Sequence, residues 1–198
     1  MEPAVRVAGP TDVGGIAGVL ADAFFDDPLM TWAFPDPATR HQRLTGLWTF
    51  MAGQAYVPFG SSTVVPGIDA GALWLAPGQV LDDAFWAARG AEFLDAVEGE
   101  FDRMSSFSDV MAAHHPHDEH WYLLAIGVSP ARQGGRLGSA LLAHTLAEAD
   151  AAGAPAYLEA TSPRSRALYA RHGFEDVAEL RVDDSPPMWA MLRPPSRP

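Results

Sequence analysis

The stretch best suited to chemistry is a short glycine-rich segment, residues 132–138, which reads Arg-Gln-Gly-Gly-Arg-Leu-Gly. It follows an apolar run, residues 121–128, that predicts a strand buried on both faces. Leucines at helical spacing come next: Leu137, Leu141, Leu142 and Leu146. The pattern therefore predicts a strand, a glycine-rich loop and a helix in direct succession.

This arrangement is suited to binding an anion. The first amides of a helix have no intrahelical partner and lie at the positive end of the helix dipole. Glycines beside them let a ligand approach the backbone closely. The expected ligand therefore carries a phosphate or pyrophosphate group.

Two general phosphate motifs fit the segment poorly. A P-loop requires Gly-Lys-Ser/Thr, and the chain contains no lysine. A dinucleotide site requires Gly-x-Gly-x-x-Gly, of which Gly135 and Gly138 supply only the last part. Glu159 does lie near the distance expected for the ribose-binding carboxylate of such a site.

A third motif fits better. The segment resembles motif A of the GNAT superfamily of N-acetyltransferases, which reads Gln/Arg-x-x-Gly-x-Gly/Ala. Gln133 and Gly138 match this pattern, and residues 137–142 resemble its usual continuation. A register that begins one residue earlier would place Gly135 correctly but Leu137 wrongly, so the register from Gln133 is favoured.

Arg136 stands where the superfamily usually has the first glycine of the motif. Its amide can still serve the ligand if its φ is negative. Two interpretations of its guanidinium stay open: contact with a phosphate, or solvation on the first helical turn. The same departure leaves open a non-catalytic protein that binds acyl-CoA as a sensor.

The resemblance implies acetyl-CoA as co-substrate, held by several backbone groups. Those of Ile126 and Val128 would hold its pantetheine arm, and an amide near Val128 would polarise the thioester carbonyl. Gly127 would either permit a bulge there or allow close packing. Ser165 stands where relatives often carry an asparagine that contacts the arm. The loop backbone would hold the pyrophosphate: Gln133, Gly134, Gly135, Arg136, Leu137, Gly138 and Ser139.

Tyr169 is the candidate catalytic residue. Residues 168–174 resemble the superfamily's Tyr-x-x-x-Gly-Phe motif, whose phenol protonates the leaving thiolate. A phenol is protonated at neutral pH and can act as an acid. The alternative is a packed tyrosine with a satisfied hydroxyl. Residues 120–174 are also similar to the puromycin N-acetyltransferases, whereas the N-terminal half resembles them only in pattern.

The acceptor side is less defined. Asp27, Trp32 and Phe34 fall in a broken helical region where the superfamily lines its acceptor pocket, and aromatic rings beside a carboxylate suit a cationic amine. Glu119 borders the central strand. The general base stays open among several carboxylates and histidines: Glu119, Glu159, Asp26, Asp27 and the histidines of the chain.

The histidine-rich run at residues 114–120 has donors that zinc could use. A solvated loop is favoured, because Pro116 interrupts the run and no regular element fixes its side chains. We therefore expect no metal site, and we expect one or two of these residues to border the acceptor site.

Composition narrows the class of protein. The net charge of −12 argues against nucleic-acid binding. The absence of cysteine excludes disulfides and an acyl-cysteine intermediate. No apolar run is long enough to span a membrane, and no signal pattern precedes the first helix, so a cytoplasmic protein is expected. A monomer or a homodimer would both be compatible.

The whole pattern predicts an α/β (α+β) fold in one N-acetyltransferase domain, residues 1–198. Residues 1–113 would form the acceptor-side half and residues 114–194 the half that binds acetyl-CoA. A mixed sheet of about six or seven strands is expected, with splayed central parallel strands and helices on both faces. The apolar residues of two helices across 80–113 are expected to be buried, among them Trp86, Leu94 and Phe101.

The function that follows from the resemblance is transfer of an acetyl group from acetyl-CoA to the amine of a small molecule. Direct attack in a ternary complex is expected, because the chain has no cysteine for an acyl-enzyme. The alternatives are the acyl-CoA sensor and acetylation of a peptide or protein amine.

Overall fold

A computed structural model describes residues 3–97 and 102–196 of the chain. Within these residues seven strands form one mixed sheet in the order β1-β2-β3-β4-β5-β7-β6. The strands are β1 (Arg6–Val7), β2 (Thr63–Val64), β3 (Ala70–Leu75), β4 (Trp121–Val128), β5 (Ala156–Ala160), β6 (Glu175–Leu180) and β7 (Met188–Arg193). Only β4 and β5 run parallel. The mixed sheet with central parallel strands is therefore confirmed.

Seven α-helices of the described residues pack on the sheet: α1 (Val13–Phe24), α2 (Pro28–Ala33), α3 (Pro37–Phe50), α4 (Asp83–Ala96), α5 (Asp102–His114), α6 (Leu137–Ala152) and α7 (Pro163–Ala170). One core cluster joins α1, α2 and α3 to one face of the sheet. A second cluster joins α6 and α7 to the other face. Helices thus cover both faces, as expected.

The caps explain where several helices begin. Asp27, Asp36 and Asp82 each accept a backbone hydrogen bond at the start of α2, α3 and α4, and proline follows the first two. Asp12 occupies the N-cap position of α1, but its side chain makes no capping hydrogen bond to that helix. Its carboxylate instead accepts from the guanidinium of Arg6 at 2.6 and 2.8 Å and from the Gly9 amide at 2.8 Å.

The central strands separate partway along their length. β4 pairs with β5 from Trp121 to Leu123, and the last pair is Leu123 with Leu158. β4 then continues to Val128 without a partner strand on that side. A gap therefore opens between β4 and β5 at the end that leads into the glycine-rich loop.

β4 also carries an irregularity at the point where the gap opens. Leu73 of β3 lies opposite Ala125, and the next residue, Trp74, lies opposite Leu123, so Leu124 is an extra residue. The bulge is therefore at Leu124 and not at Gly127. A Cβ at Gly127 would lie 2.8 Å from Leu20 Cδ2, so this glycine lets α1 pack closely on the strand.

Two further features concern helices α3 and α4: a close contact at a glycine, and the exposure of two apolar side chains. A Cβ at Gly46 of α3 would lie 2.0 Å from the carbonyl oxygen of Ala96, so α3 and α4 are in close contact there. Trp86 is 36% exposed and Leu94 is 41% exposed, so the expectation that α4 buries both was wrong. Phe101 lies outside the described residues.

Candidate active site

The glycine-rich loop is exposed and leaves helix amides free. The first hydrogen bond of α6 runs from Ala140 N to Arg136 O at 3.0 Å. The amides of Leu137, Gly138 and Ser139 therefore have no intrahelical acceptor. With the loop they form a cradle of backbone donors at the positive end of the helix, which fits a pyrophosphate.

Arg136 adopts a left-handed conformation, with φ of 62° and ψ of 10°. The amide of Arg136 was expected to serve the ligand if its φ is negative, and the observed φ is positive. Gly134 is also left-handed, with φ of 81°. The chain makes two such turns before it enters α6, and a residue with a Cβ at this position costs about 1–2 kcal/mol. Arg136 thus holds a conformation for which glycine is better suited.

The loop is fixed to the sheet by a side-chain hydrogen bond and a backbone hydrogen bond. Gln133 Nε2 donates to Val128 O at 3.3 Å, and Ser129 N donates to Asp69 O at 2.8 Å. Asp69 Oδ2 also lies 3.6 Å from Arg132 Nε. Sequence reasoning missed Asp69, because it follows a turn between β2 and β3, about sixty residues earlier in the chain.

Ile126 and Val128 lie on the part of β4 that pairs with β3 but not with β5, so they border the gap. Ser165 is engaged within its own helix cap. Its hydroxyl donates to Ser162 O at 3.0 Å, and its amide donates to Ser162 Oγ at 3.2 Å. The Ser165 side chain therefore holds the start of α7 in this structure.

Tyr169 is buried near the end of α7, with its ring 6.0 Å from that of Phe174. Burial, and then the charge of Asp27, raises the pKa of Tyr169 above its usual value of 10.0. The hydroxyl therefore stays protonated at neutral pH, as a proton donor requires.

Asp27 connects α2 to the end of β5. Its Oδ1 accepts from the amides of Leu29 at 2.9 Å and Met30 at 3.2 Å, and its Oδ2 accepts from Thr161 Oγ1 at 2.5 Å. Burial raises the pKa of Asp27, and these hydrogen bonds act against that rise. Both of its oxygens accept hydrogen bonds from the protein, and its partner Thr161 lines the cavity described next.

A cavity of about 910 Å³ lies on the face of the sheet that carries α2 and α3. Leu124, Glu159 and Thr161 line it, so it reaches the gap between β4 and β5. Trp32 and Glu119 are also lining residues, with Glu119 exposed at the rim. Phe34 is 1% exposed and belongs to the hydrophobic core rather than to the cavity lining.

Glu159 is the buried charged residue of this cavity, with a side chain that is 4% exposed. Tyr122 donates its hydroxyl to Glu159 Oε2 at 3.0 Å. Oε1 has no close hydrogen-bond partner among the described residues, and burial, together with the nearby Glu159, raises the pKa of the Tyr157 hydroxyl. Burial, and then the Glu159 charge, raises the pKa of Tyr122 well above 10.0, so this donor keeps its proton. A buried carboxylate with one unsatisfied oxygen is costly and typical of a functional site.

Two histidines connect Glu159 towards the surface. His115 Nδ1 lies 4.0 Å from Glu159 Oε1, and His115 Nε2 lies 3.0 Å from His120 Nε2. Chiefly through burial, the pKa of His120 is lowered from 6.5, although a hydrogen bond to the Asp118 carbonyl opposes this. His120 is therefore neutral at pH 7 and can accept a proton.

The histidine-rich run is thus only partly a solvated loop. Residues 115–120 all line the cavity, which is more of the run than the one or two residues expected to border the acceptor site. In the ranges 3–97 and 102–196, no group of three metal-binding side chains is arranged to hold an ion. Among the helices of the same ranges, none combines the length and the apolar character that a membrane span requires.

Comparisons with known proteins agree with the fold and the loop. Residues 103–174 match the model of the acetyltransferase (GNAT) family. The crystal structure of a histone acetyltransferase HPA2 and related acetyltransferase from Corynebacterium glutamicum is 32% identical, with a TM-score of 0.73, and the match covers 100% of this chain and 99% of that chain. The chain therefore belongs to the GNAT family of acetyltransferases.

Other relatives extend this likeness. An uncharacterized N-acetyltransferase of Schizosaccharomyces pombe is 28% identical over 90% of this chain and 78% of its own length. Arylalkylamine N-acetyltransferase 2 of Aedes aegypti has a TM-score of 0.64 at 13% identity, with 98% of this chain and 99% of that chain covered. Drosophila melanogaster polyamine N-acetyltransferase has a TM-score of 0.59 at 18% identity, over 96% and 99% of the two chains. These last two matches concern the fold alone.

Proposed function

We propose that this acetyltransferase uses acetyl-CoA to acetylate the amine of a small molecule, by direct attack in a ternary complex. The observation that carries the proposal is Glu159, a buried carboxylate with an unsatisfied oxygen where the cavity meets the gap between β4 and β5. A base is needed at this place, because an ammonium must lose a proton before its nitrogen can attack a thioester.

The donor side is supported by backbone groups. The free amides at the start of α6 would hold the pyrophosphate, and the unpaired edge of β4 at Ile126 and Val128 would hold the pantetheine arm. A β4 amide near the gap would stabilise the oxyanion that forms as the nitrogen attacks. Acetyl-CoA supplies the activated acyl group when it is bound.

The acceptor side is supported by the proton path. Glu159 takes the proton of the incoming ammonium, with Tyr122 keeping its other oxygen in place. His115 and His120 lead from Glu159 towards the exposed loop and can pass the proton to solvent. Tyr169 gives its proton to the thiolate as the carbon–sulfur bond breaks, and it regains a proton when the nitrogen loses its second proton to form the amide.

The test is release of free CoA thiol from acetyl-CoA with a broad panel of primary amines, beside calorimetry of donor binding. We expect donor binding together with amine-dependent thiol release. Donor binding without release for any amine would overturn the transfer proposal and support an acyl-CoA sensor. Release with peptide amines but not with small amines would instead support a protein or peptide acceptor.

The finer sequence predictions stay proposals. The likeness to puromycin N-acetyltransferases concerns residues 120–174, which bind the donor in the proposed arrangement, so it carries no acceptor to this chain. Asp27, Trp32, Phe34 and Glu119 were the predicted acceptor residues. Asp27 is not among the residues that line the cavity, and its carboxylate is engaged by protein donors. Trp32 and Glu119 line the cavity and keep that proposed role, whereas Phe34 would support the wall from behind.

A further inference from the structure

The charged side chains of the cavity lie apart from its apolar surface, and this distribution indicates which class of acceptor fits. Its described lining contains five formally charged side chains: Arg103, Asp109, Asp118, Glu119 and Glu159. The first four are exposed at the rim, and Glu159 alone is buried. The interior therefore has one position for a cation.

Another part of the cavity lining is aromatic and closely packed. Phe24 lies 5.0 Å from Trp48, and Trp86 lies 5.6 Å from Phe93, between ring centroids. Phe50, behind the wall, stacks on Trp86 at 6.4 Å. Rings that contact one another in this way form a preformed apolar surface, which suits a flat or bulky hydrocarbon group.

Trp32 was also expected to bind a cation, but its ring already contacts a cationic side chain of the protein. Arg103 places its guanidinium carbon 5.2 Å from the centre of the Trp32 ring, and its Nη1 donates to the Trp32 carbonyl. Trp32 Nε1 in turn donates to Asp184 at 2.9 Å. Trp32 thus has its own cation and carboxylate, and it offers no second ammonium site within the cavity.

We propose that the acceptor is a hydrophobic primary monoamine, an aryl-alkyl or longer alkyl amine, with its nitrogen at Glu159 and its apolar body against Trp48, Trp86 and Phe93. This inference rests on the proposed function and specifies its substrate. A diamine, or an amine with a guanidinium at the far end, must bring a second cation past the aromatic wall. Against the wall that cation would lose its hydration without a partner, and at the rim Asp109, Asp118 and Glu119 are exposed to solvent, where an ion pair contributes little.

The experiment compares amines of matched length. Hexylamine and 1,6-diaminohexane differ by one terminal ammonium, and 2-phenylethylamine and agmatine extend the comparison. We expect kcat/KM for thiol release to be at least about tenfold higher for each monoamine than for its dication counterpart. Equal or higher values for 1,6-diaminohexane and agmatine would overturn the acceptor class.

Calorimetric titration of the same four amines separates this inference from the transfer proposal. Tighter binding of the monoamines without any thiol release would support the acceptor class and overturn the proposed transfer. Tighter binding of the dications would overturn the acceptor class whether or not transfer occurs.

A pair of variants tests the wall itself. Trp86→Ala removes a half-exposed ring and is expected to lower kcat/KM for 2-phenylethylamine about tenfold while donor affinity is unchanged. Val177→Ala, an exposed apolar residue of β6, is the control and should change neither value. Equal activity of the Trp86 variant and the control would contradict the proposed binding of the apolar body.

Discussion

The donor loop and the acceptor cavity are built from different parts of the chain and from different chemical groups. The loop and the start of α6 come from one continuous stretch, residues 129–139, and offer mainly backbone amides. The cavity is lined by side chains from α1 to β7, and its one buried charge is Glu159. A backbone site tolerates changes of side chain, whereas a site made of side chains depends on each of them.

Arg136 and Glu159 illustrate this difference. Arg136 departs from the family motif, but the backbone adopts the left-handed turn and the first amides of α6 stay free. Glu159 depends on the hydroxyl of Tyr122 and on the nearby ring of His115. We therefore expect substitutions in the cavity to have larger effects on transfer than substitutions in the loop.

The largest effect is expected for Glu159→Gln, which keeps the shape of the side chain but cannot accept the proton. The value of kcat/KM should fall by about 10²–10⁴ while the affinity for acetyl-CoA is unchanged. Glu148→Gln, on the exposed face of α6, is the control and should keep full activity. A Glu159 variant within threefold of the control would mean that the base lies elsewhere.

Tyr169→Phe should have the next largest effect. Loss of the proton donor is expected to lower kcat by about 10²-fold, with donor affinity retained. Because burial and the Asp27 charge raise the pKa of Tyr169 above 10.0, ionisation of Tyr169 should cause no loss of wild-type activity up to about pH 10. A phenol-dependent decline that begins near pH 8, absent from the Phe variant, would contradict this assignment.

Asp150→Asn tests the stability of the fold around α6 and β7 rather than the transfer reaction. Asp150 on α6 pairs with Arg193 at the end of β7 through two contacts of 2.8 Å. The hydrogen bond from Arg193 lowers the pKa of Asp150 below 3.8, so the pair stabilises the fold above that pH and loses its contribution as pH falls further. Thermal unfolding should show a loss of about 1–2 kcal/mol at pH 7.

The pH dependence makes that prediction specific. The difference in the free energy of unfolding between wild type and Asp150→Asn should shrink as pH falls below 3.8. A difference that is constant from pH 7 to strongly acidic pH would show that the charge of Asp150 is not what stabilises the contact.

The smallest effect is expected at Arg136. Arg136→Gly should stabilise the fold by about 0.5–1 kcal/mol, because glycine adopts the left-handed conformation without a steric cost. Arg136→Ala keeps the Cβ and should not stabilise. If both variants bind acetyl-CoA as wild type does, the guanidinium is solvated; a loss of affinity in both would assign it to a phosphate.

Much of the donor half could be predicted from the sequence, because its signals are local. The apolar run, the glycines and the leucine spacing placed β4, the loop and α6 with little error. The left-handed turn at Arg136 was not foreseen, since arginine gives no local indication of it. The bulge at Leu124 was also missed, because it depends on the register with β3.

The acceptor cavity could be predicted only in outline. Glu159 was one of several possible bases, and what distinguishes it is contact with Tyr122, which is 37 residues away, and with His115. Trp86 and Leu94 were predicted to be buried because apolar residues usually are, but they border an open cavity. Side chains that meet only in the folded protein leave no periodic pattern in the sequence.

The close contact at Gly46 has a consequence for how the acceptor range of this enzyme could change. Leu47 and Trp48 of α3 line the cavity together with Phe93 and Leu94 of α4, and at Gly46 the two helices are in close backbone contact. Any larger residue at position 46 must push the end of α4 outwards, since the obstructing atom belongs to the backbone. In the proposed function, substrate size is therefore open to selection, or to laboratory evolution, through a position outside the cavity lining.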